Sequence, residues 1–345
     1  MEQIAFIAGQ SVFYWKPLLL TAGVVTSIFF FLCLYLQEGG RGLSAACAVP
    51  LALVLGLVFS RLVHWYCRSG DYAGLSAALQ DYSSGGFALI GAFAGCLIAA
   101  LLLRLLRISD SAPAMLDCMS IAGAAGIAVG RLASFFDSSD RGLLMERFRS
   151  LPLAYPVTNP VSGAQEYRLA TFLLQAMAAA AIFLLLAVLY PSLRKCRRLR
   201  PGDGCLLFLL LYCSTQVVLD STRYDSLPFR SNGFVSVVQV FSALAIGFVV
   251  VVFSVRLVRL RGFRPWYLAL WAAIAAMLGV AGYMEYYVQR HGSLAAFSYG
   301  IMSAALAVIT AVVLGMAFLI PAPKRPAGKY LRQNNSGTPR MEVTR

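Results

Sequence analysis

Charged and ionisable side chains are scarce in this sequence. Only 13% of its 345 residues are Asp, Glu, Lys or Arg, 59% are hydrophobic, and there are two histidines. Soluble domains carry about 25% charged residues, and a water-soluble fold of this length could not bury so much apolar surface. The composition therefore excludes a water-soluble protein and favours one that is solvated by lipid.

Three further features are missing. The eight cysteines form no CxxC pair, so neither a disulfide framework nor a zinc site is indicated. The first residues, MEQIAFIAGQ, contain no basic stretch of the kind that opens a signal peptide, and we expect the first apolar run to be retained. No nucleic-acid-binding module accompanies the net charge of +14, so we expect no nucleic-acid partner.

Apolar runs of nearly the length that a membrane helix needs, ~20 residues, account for most of the chain. They lie at about 13–36, 43–65, 86–106, 114–136, 168–190, 205–222, 234–255, 265–288 and 297–320. The sequence thus predicts an all-α polytopic membrane protein of about nine transmembrane helices.

The basic residues predict the orientation of these helices. They cluster after the third, fifth, seventh and ninth runs, whereas segments 66–84, 137–167 and 223–233, after even-numbered runs, carry charges of both signs. Cytoplasmic loops are enriched in Lys and Arg. We therefore expect a multi-pass protein of the plasma (cytoplasmic) membrane, with its N-terminus outside and its C-terminus in the cytoplasm.

Charged residues inside a membrane span are costly and often mark function, and one stands at the end of the fourth run. Arg131 lies about two turns inside the boundary, in the segment from Gly130 to Gly142. A guanidinium group binds phosphate oxygens in pairs, so Arg131 is a candidate ligand of a lipid phosphate. The alternatives are an arginine that reaches to the interface or one that pairs with Asp137.

A polar stripe runs through the sixth run. On a helix Tyr212, Gln216, Asp220 and Arg223 share one face, at spacings of four, four and three residues. Such a stripe lines a cavity or forms a helix–helix contact with internal hydrogen bonds. Small residues in the segment 85–95 similarly allow ligand access or simple close packing of helices.

Five segments together resemble prolipoprotein diacylglyceryl transferase, the membrane enzyme that lipidates bacterial prolipoproteins. The family's GRIGNFINGELWGR resembles Gly130 to Gly142, its GGMSFHGGLIG resembles Gly85 to Gly95, its YxxxRFxxExxR resembles Tyr212 to Arg223, its LSMGQ resembles Val235 to Gln239, and its SQLYE resembles Ala164 to Arg168. Their order and their placement on spans agree, over residues 12 to 255, or about seven spans.

The resemblance and the chain's composition together imply an organisation, and the resemblance implies a reaction and partners. We expect a diacylglyceryl-transferase-like membrane core over 1–260, two additional transmembrane helices over 261–322, and a disordered basic cytoplasmic tail over 323–345. The family transfers the diacylglyceryl group of phosphatidylglycerol to the thiol of a lipobox cysteine, without a cofactor. The implied partners are phosphatidylglycerol, the prolipoprotein signal peptide and membrane lipids.

The resemblance also implies site residues. The phosphatidylglycerol-binding candidates are Arg131, Arg223, Tyr212, Gln216 and Ser134, and the catalytic candidates for accepting the thiol proton are Asp137, Asp140, Asp220 and His64. The departures from the family are Ile90 for its histidine, Gln216 for its arginine, Ser134 and Asp137 for its asparagines, and Ser139 for its glutamate. His64 enters because one histidine of the outer leaflet is lost and another is present on the neighbouring span.

Two functions stay open from the sequence. In the first, the protein is a diacylglyceryl transferase, as the retained Arg131, Asp220 and Arg223 indicate. In the second, it is a catalytically altered or inactive relative that binds a lipid or a partner protein, as the lost histidine and arginine indicate.

Overall fold

The computed structural model of the chain describes residues 3–8, 11–80, 86–137, 139–145, 151–159, 162–196, 198–229, 232–291 and 294–320. The tail predicted to be disordered, 323–345, lies outside the described residues, as does Gly85 at the start of the small-residue segment.

Long apolar helices make up most of the described chain. They are α1 (Trp15–Gln37), α2 (Gly42–Cys67), α4 (Leu89–Leu105), α5 (Ala112–Arg131), α6 (Thr171–Lys195), α7 (Asp203–Ser221), α8 (Val237–Arg261), α9 (Tyr267–His291) and α10 (Ala295–Leu319), with a short α3 (Leu75–Gln80) between α2 and α4. Eight of the described helices are long and apolar enough to cross a membrane, and α4, with 17 residues, is at the short end of the range. The prediction of an all-α polytopic membrane protein is therefore confirmed.

Short elements that the sequence pattern did not predict lie at the starts of three helices. They are the antiparallel hairpins β1–β2 (Ile4–Ala8 and Ser11–Tyr14), β3–β4 (Ala154–Thr158 and Gln165–Leu169) and β5–β6 (Pro228–Phe229 and Asn232–Ser236). The strands β2, β4 and β6 lead directly or almost directly into α1, α6 and α8. All three hairpins thus lie at the same end of the alternating helices, which is also the end where α5 and α7 terminate.

Glycines bring two pairs of helices into close contact. A Cβ on Gly23 of α1 would lie 2.7 Å from the carbonyl oxygen of Gly126 on α5, and one on Gly95 of α4 would lie 2.5 Å from the backbone nitrogen of Gly56 on α2. Real Cβ atoms do not approach other atoms so closely, and these positions therefore require glycine. For Gly95 the close-packing interpretation of the small-residue segment is the one that the structure supports.

The helix α7 lies between two clusters of buried apolar side chains. One cluster combines α1, α2, α4, α5 and α6 with Phe208 and Tyr212 of α7. The other combines α8, α9 and α10 with Leu206, Leu210 and Cys213 of α7. Because α7 is packed on both sides, its C-terminal end is held in place, and the polar residues of the predicted site lie at that end.

Candidate functional site

A short 3₁₀ turn after α5 brings two of the predicted residues together. The turn spans Leu132–Phe136, directly after the last residue of α5, Arg131. The chain then returns so that Nη1 of Arg131 lies 3.0 Å from Oδ2 of Asp140. The hydroxyl of Ser134 donates a hydrogen bond of 2.7 Å to the same oxygen. Arg131 therefore pairs with Asp140, while Asp137 has other partners.

A second arginine reaches the same carboxylate from the end of α7. Nη2 of Arg223 lies 2.6 Å from Oδ1 of Asp140. The other nitrogens of this guanidinium group are also bound: Nε lies 3.1 Å from Asp225, and Nη1 lies 3.2 Å from Asp220. Two arginines, one at the end of α5 and one just after α7, thus bracket one carboxylate, each at its own oxygen.

This bracket fixes the charge of Asp140. Burial would raise the pKa of Asp140, but the nearby guanidinium groups of Arg131 and Arg223 outweigh burial and hold this pKa well below its usual range. Asp140 is therefore ionised at neutral pH and a poor proton acceptor. The side chains of Arg131 and Arg223 are 18% and 12% exposed, so neither is fully buried.

Asp220 connects the bracket to the start of α8. The Ser236 hydroxyl donates a hydrogen bond to Oδ2 of Asp220. The same serine caps α8, because its hydroxyl accepts the backbone N–H of Gln239 while the Gln239 side chain accepts the backbone N–H of Ser236. This reciprocal arrangement is a capping box, favoured by serine followed three residues later by glutamine.

The remaining residues of the polar stripe lie deeper in the bundle. Tyr212 is buried beside Arg131 and meets the ring of Phe93 edge to face. Oε1 of Gln216 accepts a hydrogen bond of 3.0 Å from Nε2 of Gln175 on α6, and both glutamines are buried. Gln216 thus forms a helix–helix contact, one of the two alternatives for this stripe.

Asp137 lies on the neighbouring side of the same turn. Its carboxylate pairs with Nζ of Lys16, at the start of α1, at 2.5 Å. Its carbonyl oxygen accepts a hydrogen bond from Arg141, whose buried guanidinium group lies between the rings of Tyr155 and Phe172 at 4.2 and 4.5 Å. These contacts join the start of α1 and the β3–β4 hairpin to the turn that carries the bracket.

His64 lies in a different group of residues, at the end of α2. Nδ1 of His64 is 3.3 Å from the hydroxyl of Tyr72, and a Cβ on Gly86 would touch its ring. The neighbouring Arg61 is buried and donates to the carbonyl oxygens of Ala78 and Gly86 at 2.6 and 2.8 Å. None of these contacts of His64, within the described part of the chain, reaches the Arg131–Asp140–Arg223 bracket. The role of His64 as a proton acceptor stays a hypothesis. Full activity of a His64→Ala variant would refute this hypothesis.

Sequence reasoning missed several residues of this site. Ser236 had a usable signal, since serine with glutamine three residues later before an apolar run is typical of a capping box. Glu285, which accepts a hydrogen bond from the Ser221 hydroxyl at the end of α7, had one as well, because it is a carboxylate inside an apolar run. Lys16 had no such signal, because its partner Asp137 is remote in sequence. Asp225 had none, because it lies in a loop with its partner Arg223.

Comparison with known proteins identifies one family that the chain resembles. A family model described as prolipoprotein diacylglyceryl transferase matches residues 3–255. None of the curated proteins matches the chain. The match includes all residues of the bracket and ends within α8, so that α9 and α10 lie beyond it.

Proposed function

The chain belongs to the prolipoprotein diacylglyceryl transferase family, and we propose that it transfers the diacylglyceryl group of phosphatidylglycerol to the lipobox cysteine thiol of a prolipoprotein. The proposed place of the reaction is the outer leaflet of the plasma membrane. Phosphatidylglycerol and the signal peptide of the prolipoprotein are the proposed partners.

The bracket of Arg131 and Arg223 around Asp140 is the observation that carries this proposal. Two guanidinium groups stand at the two oxygens of one carboxylate, at 3.0 and 2.6 Å. A phosphodiester presents a similar pair of negatively charged oxygens, and guanidinium binds both kinds of anion in the same geometry. The bracket is therefore suited to hold the lipid phosphate, beside Asp140 or in its place.

The reaction needs this positive charge on the leaving group. The bond between the diacylglyceryl carbon and a phosphate oxygen breaks, a carbon–sulfur bond forms, and glycerol 1-phosphate leaves with the electron pair. Arg131 and Arg223 would stabilise the charge on that phosphate. In other enzymes, removal of one such preorganised donor costs about 10²–10³ in rate.

The thiol proton must be accepted by another group. Asp140 is a weak candidate, because two arginines hold its carboxylate in the ionised form. Asp137 beside Lys16, Asp220 beside Ser236, and His64 at the end of α2 stay the candidates for this role. In the proposal, Tyr212 and Ser134 line the phosphatidylglycerol site, and Gln216, which is bound to Gln175, lies behind them.

A second function, lipid binding without transfer, is favoured by a specific observation. The family's histidine position holds Ile90, near the start of α4, and the described carboxylates around Arg223 are all paired with that arginine. A site that binds the phosphate but lacks a proton acceptor would keep the lipid and leave it unchanged.

Complementation separates the two functions. The wild-type chain, produced in a bacterial strain depleted of its own diacylglyceryl transferase, should restore growth, and Arg131→Ala should abolish the rescue. If the wild type is present in the membrane at normal levels and does not rescue, the transfer activity is refuted. Retained phosphatidylglycerol binding would then favour the second function.

A further inference from the structure

The helix α9, beyond the family match, carries a carboxylate that contacts the site. Glu285 lies in an otherwise apolar span and is half-buried. Its Oε2 accepts a hydrogen bond of 2.6 Å from the hydroxyl of Ser221, the last residue of α7, and its Oε1 accepts one of 2.9 Å from Nε2 of Gln239 on α8. A carboxylate in a membrane span usually marks function.

Both contacts of Glu285 lead towards the arginine bracket. Ser221 is the neighbour of Asp220 and lies two residues before Arg223. Gln239 holds the backbone of Ser236, and the Ser236 hydroxyl binds Asp220. Glu285 is therefore connected to Asp220 by two routes, through the neighbouring residue Ser221 and through Gln239 and Ser236.

The helix α10 adds a third contact at the same place. The hydroxyl of Tyr299 donates a hydrogen bond of 3.1 Å to the carbonyl oxygen of Ser221. That carbonyl is at the C-terminal end of α7, where the backbone oxygens lack partners within their own helix. Both helices that lie beyond the family match thus hold the end of α7.

The partners of Glu285 are neutral donors. The side chains that donate to it are those of Ser221, Gln239 and Gln289, and among the described residues no arginine or lysine forms an ion pair with it. Its contribution is therefore one of orientation. By accepting a hydrogen bond from Nε2, Glu285 fixes the Gln239 amide so that Oε1 faces the Ser236 N–H. The other acceptor of Nε2, the carbonyl oxygen of Val217, is at the longer distance of 3.4 Å.

We propose that Glu285 is a positioning residue of the phosphate-binding site, through which α9 sets the geometry of Asp220 and Arg223 while Tyr299 of α10 holds the end of α7. The inference rests on the proposed function, and specifically on the binding of a lipid phosphate by Arg131 and Arg223. In this view the two last helices are part of the site.

The test uses the full-length protein in detergent and a short-chain phosphatidylglycerol as the probe. Its dissociation constant and, separately, the rate of transfer to a lipobox peptide are measured for wild type, Glu285→Ala and Glu285→Gln. Loss of a buried hydrogen-bond partner costs about 1–3 kcal/mol, which corresponds to about 5–150-fold. We expect Glu285→Ala to weaken lipid binding by about tenfold or more and Glu285→Gln, which keeps an acceptor oxygen for Gln239, to stay within about threefold of wild type.

A double-mutant cycle distinguishes positioning from general stabilisation. If Glu285 acts through Gln239 and Ser236, Ser236→Ala and Glu285→Ala should be clearly less than additive in lipid affinity. Tyr286→Ala, an exposed neighbour on α9, serves as the control and should bind like wild type. The inference would be overturned if the loss of lipid affinity in Glu285→Ala only followed a loss of thermal stability and was additive with the loss in Ser236→Ala.

The two readouts separate this inference from the proposed function. Wild type that binds the lipid but transfers nothing refutes the transfer reaction, and the binding series still decides the role of Glu285. Glu285→Ala that binds like wild type overturns the inference whether or not transfer occurs. Equal losses in Glu285→Ala and Glu285→Gln would also overturn it, because an acceptor oxygen would then not be what matters. Wild type that shows neither binding nor transfer overturns both.

Discussion

The two ends of the helix bundle hold carboxylates in different ways. At the end where α5 terminates, Asp140 is held by the side chains of Arg131 and Arg223, which are partly exposed. At the other end of α5, Asp117 is fully buried and accepts the backbone N–H groups of Gly202 and Cys205, both at 2.8 Å. We call these the Arg131 end and the Asp117 end.

The difference separates a binding arrangement from a structural one. At the Asp117 end the partners are backbone groups at the start of α7 and the hydroxyl of Tyr190, at 3.2 Å. Asp203 there also accepts a backbone N–H, from Arg200 at 2.8 Å, and pairs with Arg256. Backbone donors at a helix N-terminus cannot leave without unfolding the helix. The arginines of the Arg131 end can exchange one anion for another, so that end is the one suited to a ligand.

The largest effect is expected at Arg223, which binds three carboxylates. Arg223→Ala should lower the rate of diacylglyceryl transfer by about 10²–10³-fold, measured with purified protein, phosphatidylglycerol and a lipobox peptide. Arg223→Lys keeps the charge but not the fork of donors, and should recover only part of the rate. A rate within about threefold of wild type for Arg223→Ala would place the phosphate elsewhere.

Asp117→Ala should act on stability and leave the chemistry unchanged. It removes the acceptor of three buried donors, each costly to leave without a partner. The free energy of unfolding in detergent should fall by about 3 kcal/mol or more, while transfer per folded molecule stays within about twofold. Asp117→Asn keeps one acceptor oxygen and should be milder. A large loss of rate in well-folded Asp117→Asn would erase the distinction between the ends.

Asp140→Asn tests the electrostatics of the bracket through pH. The arginines lower the pKa of Asp140 in the folded state, so its ion pairs stabilise the fold above the unfolded pKa, about 4. That stabilisation is lost as the pH falls from there through the lowered folded value. Asp140→Asn should lower the free energy of unfolding by about 3 kcal/mol or more at pH 7, and by less at pH 3. The unfolding midpoint of wild type and variant is compared at both values. A difference that grows towards pH 3 would contradict the pairing.

Lys16→Ala should have the smallest effect. The pair of Lys16 with Asp137 is 32% and 21% exposed, and exposed pairs contribute about 1 kcal/mol or less. We expect a shift in the unfolding midpoint that is small at low salt and smaller still at high salt, where exposed charges are screened. A large shift that salt does not reduce would mean that this pair belongs to the buried bracket.

The sequence was sufficient to locate the helices. The long apolar runs predicted each of the nine long described helices, with edges that differ by a few residues, as for 205–222 against Asp203–Ser221. The hairpins escaped prediction, because strands of two to five residues at the edge of an apolar run leave no separate pattern. The strand β1, for instance, reads IAFIA over Ile4–Ala8 and shows no alternation of apolar and polar residues.

The sequence predicted which residues lie in the candidate site better than it predicted which of them pair with each other. Arg131, Asp220 and Arg223 lie together as their spacing and the resemblance implied, whereas Arg131 pairs with Asp140, and Asp137 pairs with Lys16. The choice between two nearby aspartates depends on the 3₁₀ turn and on the left-handed conformation of Asp140, with φ of 57°. The contact of Ser221 with Glu285 joins positions 64 residues apart, and such a contact depends on how helices pack.

The most direct test of the account is to measure both products of transfer from purified protein in vesicles of phosphatidylglycerol with a lipobox peptide. Wild type and Asp117→Asn should form diacylglyceryl peptide and glycerol 1-phosphate in equal amounts and at similar rates per folded molecule. Arg131→Ala should form both about 100-fold or more slowly. Wild type that forms neither product, or Arg131→Ala that equals wild type, would contradict the claim that the Arg131 end carries the transfer reaction.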